Sequence, residues 1–197
     1  TAKQNDIELF FFFKQIGKNP AIAKMLVELR IKNAVVVDFR EAKIMMENNI
    51  PLGNVGHLVQ IPQMLLKDIM MYGSKYLTVY SLEKLQAINA LAKEIGIKQK
   101  LSLRVVSDED ELYPGQYGGF TLKELPSLIS LFKELKYIEI SWVTSFPCFL
   151  YNAEKEILEP THNIETVKAA KKILEKEGIT IQELNIPSAT SVYTLPF

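Results

Sequence analysis

Hydrophobic positions along the chain fall into short apolar runs separated by longer stretches with helical spacing. The runs predict seven strands, at residues 7–13, 34–37, 53–60, 76–80, 101–106, 137–143 and 181–186. Apolar residues three and four positions apart predict six helices, at residues 20–30, 39–49, 62–72 and 82–95, from Thr121 onward, and between Asn163 and Gly178. Helix starts are indicated by Asn19 before Pro20, by Ser81, and by Thr121 with Glu124 three residues later. Strands that are apolar on both faces are typical of a parallel sheet covered by helices, so the pattern predicts an α/β fold.

Two arrangements of a parallel sheet fit this alternation: a TIM-like (β/α) barrel lacking its last unit, or an open doubly wound sheet. The barrel is favoured because the helices are similar in length and polar side chains follow nearly every strand. The turn after the first strand also lacks the glycine-rich pattern of a dinucleotide-binding sheet. We therefore expect one domain over residues 1–197, an incomplete barrel of about seven strands that is truncated at its C-terminus.

Composition narrows the kinds of partner that the protein can bind and the cellular compartment in which we expect it. The 23 basic and 23 acidic residues balance, which predicts binding neither to nucleic acid nor to an anionic membrane. The single cysteine, Cys148, excludes an internal disulfide and is compatible with a reducing cytoplasm, where we expect the protein to reside. No apolar run approaches the ~20 residues that span a membrane. The two histidines are far apart in the sequence, so no metal site is expected.

Lys14 follows the first apolar run, at the strand end where α/β barrels carry their chemistry. Apolar surroundings disfavour an ammonium ion, and a neutral amine can attack an aldehyde, although a solvated lysine after a core strand fits the same pattern. After the seventh strand, a turn of small residues offers hydroxyls and backbone N–H groups that can hold a phosphate, at Ser188, Ala189, Thr190 and Ser191. An ordinary polar turn is the alternative. A lysine facing a phosphate cradle suggests pyridoxal 5'-phosphate.

Other polar residues near predicted strand ends would converge on the same mouth of a barrel: His57, Arg104, Gln116, Tyr117, Thr144 and Ser145. His57 could stack on a ring, donate a proton or be structural. Arg104, in mid-strand, either points inward to an anionic partner such as Asp38 or a ligand, or points outward and covers a helix. Cys148 is predicted to be a packing residue, and the acidic run 108–111 a solvated loop.

The order of elements and several motifs resemble the barrel domain of the alanine racemase-like, fold-type III pyridoxal phosphate enzymes, most of all the YhfX-like branch of proposed amino-acid racemases. The likeness spans nearly the whole chain, and its motifs are Lys14–Pro20, Phe39–Ala42, Val55–Pro62, Tyr113–Phe120, Val143–Cys148 and Asn185–Ser191. The resemblance implies that Lys14 is the Schiff-base lysine and exchanges protons at the substrate α-carbon. It also implies that Ser188–Ser191 hold the phosphate and that Thr144 and Ser145 lie near the ring or the phosphate.

The chain departs from the family pattern at several positions. Gln116 and Tyr117 stand in the loop where the family has an arginine, and Ser145 stands where many members have a histidine. An eighth strand and the C-terminal β-domain, which supplies a tyrosine base in alanine racemase, are not in this sequence. Two-base racemisation of alanine is therefore not the expectation for this chain alone.

The expected function is a pyridoxal phosphate-dependent enzyme acting at the α-carbon of an amino acid, a racemase or epimerase, with a small-molecule substrate and a homodimeric assembly. An aldolase or lyase on the same barrel is the alternative within this class. A non-catalytic carrier or regulatory protein that binds pyridoxal phosphate is an alternative from another class. A barrel that uses Lys14 as an aldolase lysine without a cofactor also remains open.

Overall fold

The computed structural model describes residues 2–188 and shows a curled, parallel sheet with helices on its outside. The strands are β1 (Phe10–Phe12), β2 (Asn33–Val36), β3 (Leu52–Val55), β4 (Ser74–Val79), β5 (Gln99–Val106), β6 (Phe120–Thr121), β7 (Ile138–Thr144), β8 (Phe149–Asn152), β9 (Ile157–Pro160) and β10 (Glu183–Asn185). Seven of them pair in parallel in the order β1-β2-β3-β4-β5-β7-β10. The order never reverses, whereas a doubly wound sheet has a switch point, so the predicted incomplete TIM-like barrel is confirmed.

Six α-helices in the described chain connect these strands: α1 (Pro20–Glu28), α2 (Phe39–Glu47), α3 (Gln63–Tyr72), α4 (Leu82–Ile95), α5 (Leu125–Glu134) and α6 (Asn163–Lys176). The predicted caps form at α1, where Asn19 Oδ1 accepts hydrogen bonds from the backbone N–H groups of Ala21 and Ile22, and at α4, where Ser81 Oγ accepts from Lys84. The longest of these helices has 14 residues, too few to cross a membrane.

The strand and loop predicted together at residues 53–60 divide after Val55, because Gly56 has a positive φ of 89° and turns the chain into the loop. Two other details differ from the sequence-based predictions. Thr121 Oγ1 accepts a hydrogen bond from the backbone N–H of Glu124, as in a capping box, but the Glu124 carboxylate accepts from the Thr121 hydroxyl rather than from its backbone N–H, and the helix begins only at Leu125. Two pairings were not predicted: β6 with the end of β5, and the antiparallel hairpin of β8 with β9.

Apolar side chains fill both the inside of the curled sheet and the layer under the helices. Inside, the Tyr76 ring stacks on the Trp142 indole at 3.9 Å, and the Phe10 ring meets the same indole edge-on at 5.1 Å. Among the helices, α1 contributes least to the core, since Met25 and, just after the helix, Leu29 of its apolar stripe are 60% and 71% exposed. The core therefore depends on the strands and on helices α2 to α6.

The sheet remains open between its two edge strands. Within the described residues β1 pairs only with β2, and β10 pairs only with β7. A cleft of about 970 Å³ lies between these edges, lined by residues 6–10 and 182–185 and by Trp142. The opening lies where a closed barrel would have another strand.

Glu41 ties helix α2 to the loop that follows Lys14. Its side chain is fully buried, Oε2 accepts a hydrogen bond of 2.9 Å from the backbone N–H of Val37, and Oε1 lies 3.1 Å from the Lys18 ammonium. Removing this carboxylate would leave the Val37 N–H unpaired inside the fold.

We expect Glu41→Ala to lower the free energy of unfolding by about 1–3 kcal/mol in urea titrations, because it leaves the partly buried Val37 N–H without a partner. The control is Glu47→Ala on the same helix. Glu47 is 60% exposed and lies 3.8 Å from Lys43, so its loss should change stability by less than about 0.5 kcal/mol. Equal effects of the two substitutions would contradict this role of Glu41.

Candidate active site at the carboxyl edge of the sheet

Lys14 lies directly beyond β1, in a short 3-10 helix over residues 13–16. Phe13, completely buried, anchors this turn in the core, while the Lys14 side chain is exposed. Gly17 ends the turn with a φ of 68°, a conformation that glycine adopts without strain. The sequence predicted a lysine at the strand end, and the structure places it there with its amine open to the mouth of the half-barrel.

His57 follows β3 and is 4% exposed. Its ring meets the Phe12 ring edge-on at 5.8 Å and the Phe146 ring at 5.7 Å. Within residues 2–188, neither ring nitrogen has a hydrogen-bond partner. Burial first, and then the positive charges of Arg104 and Lys14, together lower the pKa of His57 to about 4. His57 is therefore neutral at pH 7 and shares the mouth with both cations.

Arg104 points into the half-barrel, which decides between the two orientations that the sequence left open. It is 2% exposed, Nη2 donates a hydrogen bond of 2.6 Å to the backbone carbonyl of Gln116, and the guanidinium lies 5.0 Å from the centre of the Tyr80 ring. Nε is buried without a partner. Asp38, one of the two partners considered, is engaged elsewhere, because its Oδ1 caps helix α2. Among the described residues, Arg104 has no ion pair with a carboxylate.

The loop over residues 107–119 packs over Arg104 at the mouth of the half-barrel. A side chain at Gly118 would meet the Tyr80 ring at 3.2 Å, and one at Gly119 would meet the carbonyl of Arg104 at 3.1 Å, so two glycines allow the loop its close approach. Gln116 binds Arg104 through its backbone, and its side-chain Oε1 is buried without a partner. Tyr117, by contrast, is 64% exposed.

The remaining predicted residues make hydrogen bonds within the protein. Thr144 Oγ1 donates to Asn185 Oδ1 at 2.9 Å, Ser145 Oγ accepts from Asn163 Nδ2 at 3.0 Å, and Ser188 Oγ donates to the carbonyl of Phe149 at 2.9 Å. Residues Ala189, Thr190 and Ser191 of the predicted phosphate turn lie outside the described residues. The roles assigned to all of these residues stay predictions.

Sequence reasoning missed the polar network beside this site. The acidic run 108–111 was predicted to be solvated, but the Asp110 side chain is completely buried and contacts Ser107 and helix α6. Cys148 is buried as predicted, and burial, followed by the charge of Asp110, raises the pKa of its thiol to about 12, so it is a packing residue.

The depressed pKa of His57 makes part of the stability depend on pH. The unfolded chain takes up the imidazole proton near about pH 6.5, whereas the folded chain takes it up near pH 4, so the contribution is complete above the first value and is lost as pH falls through the second. Between pH 7 and about pH 4.5 we expect the wild type to lose about 2 kcal/mol more than His57→Gln in urea unfolding. An identical loss in both proteins would contradict a neutral, buried His57.

Comparisons with known proteins agree with this architecture. The family model described as "Alanine racemase, N-terminal domain" matches residues 2–196. The uncharacterized protein YhfX of Escherichia coli (strain K12) is 39% identical over 196 residues, which cover 100% of this chain and 51% of YhfX. An alanine racemase of Clostridium difficile 630 superposes with a TM-score of 0.69 at 22% identity, over 91% of this chain and 44% of the racemase.

A diaminopimelate decarboxylase from Helicobacter pylori, complexed with L-lysine, also superposes with a TM-score of 0.69, at 20% identity and over 91% of this chain and 47% of the decarboxylase. These solved structures share the fold. The chain spans about half the length of each of these three relatives. The chain belongs to the family of alanine racemase N-terminal domains.

Proposed function

We propose that this chain is the cofactor-binding barrel of a pyridoxal phosphate-dependent enzyme that acts at the α-carbon of an amino acid, as a racemase or epimerase. The proposal rests on the combination of side chains at the mouth of the half-barrel. There an exposed lysine lies beside a neutral histidine and a buried arginine, and no carboxylate of the described chain pairs with that arginine. Membership of the alanine racemase N-terminal domain family supports the same assignment.

The residues at the mouth fit a polar, anionic cofactor. Four buried atoms there have no hydrogen-bond partner among residues 2–188: His57 Nδ1 and Nε2, Arg104 Nε and Gln116 Oε1. A buried polar atom without a hydrogen bond costs about 1–3 kcal/mol, so an unpartnered group of four indicates a ligand. When bound, pyridoxal phosphate withdraws electrons from the substrate α-carbon, which allows a proton to leave it.

Each of these side chains has a distinct proposed part. The Lys14 amine holds the cofactor and afterwards carries a proton to or from the substrate α-carbon. The Arg104 guanidinium binds an anionic group of cofactor or substrate, because it has a free N–H and an uncompensated charge. His57, as a neutral imidazole, offers one donor and one acceptor. We propose the turn from Ser188 to Ser191, beyond β10, as the phosphate site.

We also propose that the domain is completed by another segment of a longer polypeptide. Within residues 2–188, β1 and β10 each have one edge without a partner strand, on either side of the cleft of about 970 Å³, and the chain covers 51% of YhfX. A parallel strand inserted between those edges would pair both of them and close the barrel. The homodimer and the cytoplasmic location expected from the sequence stay predictions.

A decarboxylase, that is, a lyase on the same barrel, is the second candidate. The diaminopimelate decarboxylase superposes as well as the alanine racemase does, with the same TM-score of 0.69. The two reactions differ in which bond at the α-carbon breaks, and a shared fold does not choose between them.

Incubating the full-length polypeptide with pyridoxal phosphate and candidate amino acids in D2O tests the proposal. We expect a visible absorption band and loss of the α-proton signal by NMR. Lys14→Ala should abolish the band and slow exchange by at least about 100-fold, because the attached amine and its proton-transfer group are lost together. The control is Lys24→Ala on α1, an exposed lysine away from the mouth, which should change neither signal.

Each other outcome points to a different function. Release of CO2 with no exchange in the intact amino acid would favour the decarboxylase. A band without exchange for any amino acid would favour a non-catalytic carrier. A band that survives Lys14→Ala, or no band in the wild type, would reject Lys14 as the cofactor lysine.

A further inference from the structure

Tyr80 directly follows β4 and contacts two polar residues of the mouth. Its hydroxyl donates a hydrogen bond to the backbone carbonyl of His57. The Arg104 guanidinium lies over its ring, 5.0 Å from the ring centre. His57 follows β3 and Arg104 belongs to β5, so Tyr80, which stands between them in the sheet order, joins residues from its two neighbouring strands.

The ring of Tyr80 supports the Arg104 guanidinium without neutralising it. Within residues 2–188, Arg104 has no carboxylate partner, donates a hydrogen bond to the Gln116 carbonyl, and keeps Nε without a partner. The electron-rich face of a tyrosine ring attracts a cation that lies within about 6 Å of its centre. A carboxylate would instead occupy the N–H donors and cancel the charge. Tyr80 can therefore hold the guanidinium in place while its charge and its Nε–H stay available to an anion.

The loop that carries His57 is held by two side chains. Gln60 Nε2 donates hydrogen bonds to the backbone carbonyls of Gly56, at 3.1 Å, and of Thr78, at 2.9 Å. Tyr80 binds the next carbonyl along the loop, that of His57. Within the described chain, neither nitrogen of the His57 ring has a hydrogen-bond partner. The contacts to the backbone therefore help to set where the His57 ring stands in the mouth.

Tyr80 itself packs against the loop over residues 107–119. A Cβ added at Gly118 would lie 3.2 Å from the Tyr80 ring, so the loop approaches the ring closely. Burial raises the pKa of the Tyr80 phenol, although the neighbouring Arg104 charge acts in the opposite direction. The phenol therefore keeps its proton at neutral pH and can donate it in a hydrogen bond.

We propose that Tyr80 is a positioning residue that fixes His57 and Arg104 relative to each other, with its hydroxyl on the His57 backbone and its ring under the Arg104 guanidinium. This role rests on the proposed function, in which both residues face a polar, anionic cofactor. The hydroxyl and the ring act separately. Loss of the hydroxyl frees the His57 loop, and loss of the ring frees the guanidinium as well.

Two substitutions at Tyr80 separate the hydroxyl from the ring, in NMR titrations of the cofactor-free, full-length polypeptide. Tyr80→Phe removes only the hydroxyl, so the His57 pKa should rise from about 4 to about 4.5 or higher, because the loop opens to water. Tyr80→Leu also removes the ring. The His57 pKa should then rise to about 5 or higher, towards the value of about 6.5 of a solvated imidazole, because Arg104 moves away as well.

The affinity for pyridoxal phosphate reports on the ring. Tyr80→Phe keeps an aromatic face under Arg104, whereas Tyr80→Leu does not. We expect Tyr80→Leu to bind pyridoxal phosphate at least about 10-fold more weakly than Tyr80→Phe in spectroscopic titrations of the full-length polypeptide, the loss that corresponds to one desolvated cation–π contact. The conservative variant should thus retain the affinity that the aliphatic variant loses.

Tyr72→Phe is the matched control. The Tyr72 hydroxyl also donates to a backbone carbonyl, that of Ile50 at 2.9 Å. Tyr72 ends helix α3 and Ile50 precedes β3, so this hydrogen bond lies at the amino edge of the sheet, opposite the mouth. Its loss should change neither the His57 pKa nor the affinity for pyridoxal phosphate.

A His57 pKa in Tyr80→Phe equal to that of wild type, or equal cofactor affinities in Tyr80→Phe and Tyr80→Leu, would overturn the proposal. If Tyr80→Leu does not fold, Tyr80→Phe decides alone through the His57 titration. That titration uses no cofactor. A wild type that binds no pyridoxal phosphate would therefore reject the proposed function, and the positioning role of Tyr80 would still be decided by the titration.

Discussion

The parallel direction of the seven paired strands is the constraint on which the described structure depends. Parallel strands need a crossover after each one, and every crossover here carries a helix on the outer face, so all carboxyl ends lie along one edge. Residues far apart in the sequence, such as Lys14 after β1 and His57 after β3, therefore meet at one mouth. The curl of the sheet brings Arg104 of β5 toward them, although 90 residues of sequence separate it from Lys14.

The charge balance at this mouth is unusual for the interior of a protein. The acidic residues that could neutralise it have other partners, since Asp38 caps helix α2 and Glu41 pairs with Lys18. His57 is held neutral and Arg104 is left without a carboxylate, a condition that a folded core avoids unless function requires it. Close by, the buried Asp110 side chain accepts hydrogen bonds from the hydroxyls of Ser107 and Thr166. The mouth therefore holds a buried cation that no carboxylate of residues 2–188 neutralises.

The strand order and most helices could be predicted from the sequence, because apolar runs and helical spacing are local signals. The starts of two helices were also marked locally, by Asn19 and Ser81, whose side chains cap the predicted helices. The sequence-based predictions were wrong where contacts with residues far away in the sequence determine the local structure. Thr121 Oγ1 accepts the hydrogen bond from the Glu124 N–H, but Thr121 also pairs with Val106 of β5, and the helix begins only at Leu125. Asp110 is buried only because helix α6 returns beside it, and no local pattern announces that contact. Arg104 points inward because its neighbours in β5, Leu103 and Val105, pack in the core under the helices, and its hydrogen-bond partner at Gln116 lies in a loop that the sequence pattern does not place.

We propose that Lys14 is the lysine that holds pyridoxal phosphate. Its most direct test is to incubate the full-length polypeptide with the cofactor, reduce with borohydride, digest, and locate the modified lysine by mass spectrometry. Lys14 is exposed, but so are many of the other lysines, so nonspecific labelling would spread among them in proportion to exposure. The account predicts that labelling at limiting cofactor concentrates on the peptide containing Lys14. Labelling spread over the surface lysines, or concentrated on any other residue, would contradict it.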